Sequence, residues 1–286
     1  MRSLAALLAA LLLHACAPPP DPAQPALWEV SQPGGGKAWL MGTVHALERA
    51  ADWHGPQVAA AMAEADLIVT ELGPDEDAAA NAQVMAELSQ SKGLPPLSQR
   101  VVPEDRPALA ALLRRMGQSE ASFAKTETWA AALALAQGTA PPGGSENGID
   151  RAVLAKRGAK PVEALEGAAM QLAVFDRLPE SEQRDLLALT LRDIGKAAEE
   201  RKRLAEAWRR GDMVAIDHAT REGLLADPEL REALYTARNR AWTARIAELI
   251  GQRRRIFVAV GAAHMAGDEG LPVLLADRGL TVRRVQ

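Results

Sequence analysis

The sequence predicts an α/β fold: a central mixed sheet built from β-α-β units at both ends of the chain, with a large helical middle insertion. Short β-branched and apolar runs bounded by turn residues lie near both ends, each too short for a helix. Between them, long segments repeat apolar residues every three or four positions, the helical period. One helix-length segment separates the strands of each terminal pair, as a β-α-β crossover requires.

The elements follow in order. Residues 1–16, MRSLAALLAALLLHAC, read as a secretory signal, with Arg2 ahead of an apolar run too short to span a bilayer. Its end, Leu13-His14-Ala15-Cys16, resembles a bacterial lipobox, although His14 replaces the usual small residue. Cys16 is then the lipid-attachment site. The expected location is periplasm-facing and lipid-anchored, with the outer membrane favoured; a soluble periplasmic product is the alternative. Residues 17–26 are a proline-rich linker, and residues 27–286 form the domain. Leu27 to Val30, the turn SQPGGG and Lys37 to Met41 make a β-hairpin. Gln57 to Ala65 is a helix, and Asp66 to Glu71 a short buried strand. Pro103–Met116, Lys125–Gln137 and Pro179–Arg210 are helical, and Gly211-Asp212 reads as a helix stop followed by a new N-cap. Pro141 to Gly148 is a loop before a helix at Ile149, which Asp150 is expected to cap. Lys160 to Glu166 is a strand ending in a carboxylate. Arg255 to Val260, a helix over Gly270–Arg278 and a strand over Leu280–Val285 close the fold.

Composition narrows the function. With 286 residues, 48% of them hydrophobic, the chain can bury a large core. A net charge of −4 argues against a nucleic-acid partner. Arg253-Arg254-Arg255 is a solvated helix end rather than a basic patch. Cys16 is the one cysteine, so the domain has no disulfide, thiolate ligand or cysteine nucleophile. The six tryptophans read as core residues, ahead of a sugar-stacking role for Trp53 or Trp129.

Chemistry concentrates in two similar motifs. Gly42-Thr43-Val44-His45 and Gly261-Ala262-Ala263-His264 each place an imidazole just past a strand, at the edge where open α/β sheets bind ligands. Gly42 and Gly261 permit a sharp turn or close backbone approach there. Histidine and carboxylate together suit a divalent metal or acid–base chemistry, and two core histidines are the other reading. His-Glu-x-x-His, Gly-x-Ser-x-Gly, Walker and Gly-x-Gly-x-x-Gly motifs are absent.

The chain resembles the TraB/GumN family, related to the animal Tiki proteases. The resemblance runs from Leu27 to the C-terminus through LWEV, LMGTVHAL, ADLIVTEL, KPVEALEG, QLAVFDRLPESEQ, RNRAW and FVAVGAAHMAGDEGLPVLLADRGLTV. It implies an α/β fold in which both Gly-x-x-His elements meet in one site. For the Tiki branch it implies proteolysis dependent on manganese or cobalt rather than zinc. By the same resemblance His45, Glu71 and His264 are the metal-binding or catalytic set. Arg238 and Asn239 are candidates to stabilise an oxyanion or position a substrate carbonyl, their other reading being a helix-surface ion pair or cap. Glu166 is a further ligand or a supporting residue. The expected function is metal-dependent hydrolysis of a peptide or protein substrate in the cell envelope, with a lipidated N-terminus on the membrane. Bacterial members resemble proteins implicated in limiting peptide-pheromone activity, which leaves non-catalytic peptide sequestration as the competing reading. A role in envelope assembly is the third.

Overall fold

The computed structural model describes residues 19–73, 78–138 and 144–286. The signal segment and Cys16 lie outside them. Leu27–Ser31 (β1) and Lys37–Thr43 (β2) form the expected antiparallel hairpin, and Gly34 in its turn takes the left-handed φ of +70° that glycine tolerates. Four more strands, Leu67–Thr70 (β3), Val162–Ala164 (β4), Arg255–Gly261 (β5) and Thr281–Arg284 (β6), complete a six-stranded sheet of order β4-β3-β5-β2-β1-β6. β4, β3, β5 and β2 pair in parallel, while β1 is antiparallel to both its neighbours.

Both predicted crossovers exist, but neither joins adjacent strands. β5 lies between β2 and β3, and β2 and β1 lie between β5 and β6. Burial explains this order. Ile256 to Val260 are buried without a polar break, so β5 belongs in the interior of the sheet with both faces covered.

The helices in chain order are Pro56–Glu64 (α1), Ala78–Leu88 (α2), Arg106–Arg115 (α3), Thr128–Gln137 (α4), Ile149–Lys156 (α5), Ala168–Asp176 (α6) and Glu180–Asp193 (α7). Ala197–Arg209 (α8), Met213–Ala219 (α9), Pro228–Arg231 (α10), Ala237–Gly251 (α11) and Leu271–Asp277 (α12) follow. Alternation along the strands divides them between two cores. Trp39, Met41, Ile68, Phe257 and Ala259 face α1, α5, α8 and α9. Ala38, Leu40, Leu67, Val69, Ile256, Val258 and Val260 face α11 and α12. A third core, formed by α3, α4, α7 and α10 without the sheet, fills the helical insertion.

Several local expectations changed. The segment from Pro179 to Arg210 is two helices, broken at Ile194–Lys196 around Gly195, a poor helix interior residue. The Gly211-Asp212 signal holds: Gly211 has φ +61°, and Asp212 accepts from the Ala215 N–H at 3.0 Å. A π-turn, Glu232–Thr236, links α10 to α11. All six tryptophans are buried, Trp53 and Trp129 included, which removes a sugar-stacking surface there. Residues 21–26 lie against the domain: Asp21–Pro22 pairs in parallel with Ala51–Asp52, Ala23 and Ala26 are buried, and Asp21 bridges Arg49 and Arg209. Among the described residues no helix is long and apolar enough to cross a membrane.

Gly42 is a packing requirement. A Cβ there would lie 2.8 Å from Ala262 Cα and 2.9 Å from its Cβ, where β2 meets the end of β5. Its carbonyl also accepts the buried Trp208 Nε1–H at 2.8 Å. Gly42→Ala is therefore expected to destabilise the protein by roughly 1–3 kcal/mol in urea unfolding, the cost of overpacking a filled core.

Candidate active site

The four parallel strands deliver four polar side chains to one edge of the sheet. Just beyond the carboxyl ends of β4, β3, β5 and β2 come Glu166, Glu71, His264 and His45. In-register pairing brings these ends together, with Thr70 opposite both Ala164 and Ala259, and Thr43 opposite Gly261. Pairing between β3 and β4 continues past both strands, since the Glu166 N–H donates to the Glu71 carbonyl at 3.0 Å. The two glutamates thus stand side by side, both buried.

Buried carboxylates need compensation, and Arg238 supplies it from the first turn of α11. Its Nε donates to Glu166 Oε1 at 2.9 Å and its Nη2 to Glu166 Oε2 at 3.0 Å, a two-pronged contact matched to carboxylate geometry. Nη2 also donates to Glu71 Oε2 at 3.2 Å, and Nη1 to the Leu234 carbonyl at 3.1 Å. The guanidinium lies over the Trp242 ring at 4.6 Å, and the Trp242 Nε1–H donates to Glu166 Oε1 at 3.0 Å. Glu71 Oε1 accepts the Gly261 N–H at 2.6 Å. A Cβ on Gly261 would sit 3.2 Å from that oxygen, so this glycine, like Gly42, serves close approach; neither has a positive φ.

His264 is buried between Tyr235, stacked at 5.5 Å, and Trp242, tilted at 4.4 Å. The Asn239 Nδ2–H donates to the Glu269 carbonyl at 2.7 Å, which leaves Asn239 Oδ1 as an acceptor 2.6 Å from His264 Nδ1. His264 therefore carries its proton on Nδ1, and its Nε2 lone pair points towards Arg238 Nη1 at 3.4 Å. Burial, the positive charge of Arg238 and that of His45 hold the imidazole pKa down to about 3. Arg238 and Asn239 thus face the interior of the site, not the helix surface.

His45 sits at the open rim, its ring largely solvent-exposed. Asp150 is the unexpected residue. Gly148, not Asp150, is the N-cap of α5, and the Asp150 side chain turns towards β2 instead. Its Oδ1 accepts from Thr43 Oγ1 at 2.5 Å and its Oδ2 lies 2.9 Å from His45 Nδ1. Asp150 raises the His45 pKa to about 9, chiefly through this hydrogen bond. Burial acts to raise the Asp150 carboxyl, but the contacts with His45 and Thr43 outweigh it and hold the group below its ordinary range. The charges of Glu71 and Arg238 also reach His45. His54 and His218 stand apart from this constellation, His54 edge-on to Trp53 and His218 exposed beside Glu222.

A TraB/PrgY/gumN family model matches residues 26–284. The chain belongs to the TraB/PrgY/gumN family. No curated protein and no solved structure matches it. In this family member His45, Glu71, Glu166, Arg238, Asn239 and His264 lie at one sheet edge. Asp150, Thr43, Tyr235 and Trp242 join them. Tyr235, Arg238, Asn239 and Trp242 share the i, i+3, i+4, i+7 stripe of one helix face, a spacing visible in the sequence. Asp150 had no such signal, because its partner lies 105 residues away.

The donor chemistry suits a divalent cation. Each histidine engages Nδ1, with Asp150 or Asn239, the kind of contact that orients a metal-ligating imidazole, and His264 Nε2 meets Arg238 Nη1 at 3.4 Å. Glu71 adds a carboxylate oxygen. The three residues' donor atoms are not all within 4.8 Å of one another; among the described residues that spacing occurs at Glu182, Asp227 and Glu229, where Asp227 caps α10.

His264 also sets a pH dependence. Its folded pKa lies below the free value of 6.5, so the unfolded chain binds the proton more readily. Its contribution to stability is present above pH 6.5 and is lost as pH falls towards 3. Urea unfolding from pH 7 to pH 4 should therefore show a slope shallower in His264→Gln than in the wild type, by at most about 1.4 kcal/mol per pH unit.

Proposed function

We propose that this chain is a metal-dependent hydrolase of the cell envelope that cleaves peptide bonds. His45 Nε2, His264 Nε2 and the Glu71 carboxylate would hold the cation. The observation that carries this reading is that both histidines are held at Nδ1, His45 by Asp150 and His264 by Asn239, beside a buried glutamate. When bound, the cation supplies a Lewis acid for the scissile carbonyl, with manganese or cobalt favoured over zinc by the Tiki-like resemblance.

The protein's own residues do the rest. Asp150, braced by Thr43, orients His45. Asn239 keeps His264 in the Nδ1–H tautomer, so its lone pair is on Nε2, 3.4 Å from Arg238 Nη1. The Gly261 N–H anchors one oxygen of Glu71, while the other accepts from Arg238 Nη2 at 3.2 Å. Arg238 holds positive charge beside these groups, where it can stabilise negative charge developing on a substrate oxygen. Tyr235 and Trp242 cover His264 and keep water from its faces. The signal-like residues 1–16 and Cys16 support export and lipid anchorage at the outer membrane. A second reading, peptide capture without cleavage, draws support from the way Arg238, Glu71 and Glu166 already satisfy one another.

Metal content separates the two. Full-length wild type is expected to retain stoichiometric manganese or cobalt by mass spectrometry, and the His45→Ala/His264→Ala variant to lose it. With those metals the wild type should cleave members of a peptide library, and Glu71→Gln should lower the rate at least ~100-fold. Cleavage that survives loss of both histidines would sink the proposal. Peptide binding without cleavage by the metal-loaded wild type would favour capture. Asp150→Ala, which removes only the brace behind His45, is expected to cost about 10–100-fold in metal affinity.

A further inference from the structure

Arg238 already stands where the donor groups converge. Its guanidinium meets Glu166, Glu71 and His264, three partners on three neighbouring strand ends. These contacts are unequal. The fork on Glu166 spans 2.9 and 3.0 Å, whereas Glu71 is at 3.2 Å and His264 at 3.4 Å. We propose that Arg238 is a built-in counter-cation that competes with a divalent metal for Glu71 and His264, releasing those two contacts when the metal loads and keeping the fork on Glu166. This rests on the metal reading of the site.

Each group has a scaffold that survives such an exchange. Arg238 keeps the Leu234 carbonyl, the Trp242 ring and Glu166, which Trp242 Nε1–H holds from behind. Glu71 keeps the Gly261 N–H, and His264 keeps Asn239. The contacts to be exchanged are the longer ones, and no backbone hydrogen bond is broken. The driving physics is charge. A buried carboxylate is costly without a cation beside it, and either a guanidinium or a metal ion can fill that role. Two cations on the same oxygen repel one another, so occupancy by one weakens the other. The metal-free protein is thereby charge-compensated, and metal affinity is held below what the donors alone would give.

Arg238→Met tests this. Chelator-treated full-length protein is titrated calorimetrically with Mn²⁺ and with Co²⁺. The variant should bind at least about tenfold more tightly than wild type. It should also melt lower without metal and show a larger rise in Tm on adding Mn²⁺. The paired variant Glu166→Gln/Arg238→Met removes the buried carboxylate along with its partner, which spares the fold if the single variant cannot be purified, and it should tighten binding as well. Affinity equal to or weaker than wild type in the variant that folds overturns the competition while leaving the metal site standing. Absence of Mn²⁺ and Co²⁺ binding in wild type and variants alike overturns both.

Discussion

A single, mostly covered guanidinium between two buried glutamates constrains the site in this structure. Glu71 and Glu166 follow two neighbouring strands, and Arg238 begins the helix that packs across them. Neither carboxylate reaches bulk water freely, so each depends on a charged partner held at hydrogen-bond distance. Arg238 reaches both carboxylates from the first turn of α11, across the paired ends of β3 and β4. Trp242, one helical turn from Arg238, supplies both the aromatic face beneath the guanidinium and a donor to Glu166. Its other side belongs to the core beneath α11, so the electrostatics of the site and the packing of the sheet share one residue.

The two histidines occupy contrasting environments on the same edge. His264 is enclosed by aromatic rings and kept neutral by burial. His45 is open to solvent and drawn towards the charged form by Asp150. What they share is the atom that is held. In each case an acceptor fixes Nδ1, and each acceptor is itself held, Asp150 by Thr43 and Asn239 by the Glu269 carbonyl. Fixing ring orientation in this way lowers the reorganisation that binding or catalysis would otherwise require.

Close approach of backbone to backbone is the second constraint. The Gly-x-x-His elements suggested turns, yet both glycines lie in strands with ordinary φ. Gly42 lets β2 touch Ala262, and Gly261 lets its own N–H reach Glu71. The turn that carries His264 back over the sheet comes afterwards, as a short helical turn over Ala262–Met265. Tyr235, in the π-turn before α11, and Asn239 and Trp242, on α11, then meet the His264 ring.

Local pattern made much of this legible. The hairpin, β3, β5 and most helices follow from apolar period and turn residues, because burial on a sheet or helix face imposes that period directly. His45, Glu71, Glu166 and His264 were recognisable because each closes an apolar strand, and strand ends gather at one edge of a parallel sheet. The order of strands within the sheet was not written locally. It depends on which strand buries both faces, a competition among distant segments that put β5 inside both crossovers. Asp150 shows the same limit at the scale of one side chain. Beside Gly148 and Ile149 it looks like a helix cap, and only the docking of α5 against β2 gives its carboxylate Thr43 and His45 as partners. Residue types and their strand-end positions were thus determined by the sequence itself, since they obey short-range periodicity. The pairing of charges, and so which nitrogen and which oxygen face the site, was decided by tertiary packing, since those partners meet only when remote elements share a core.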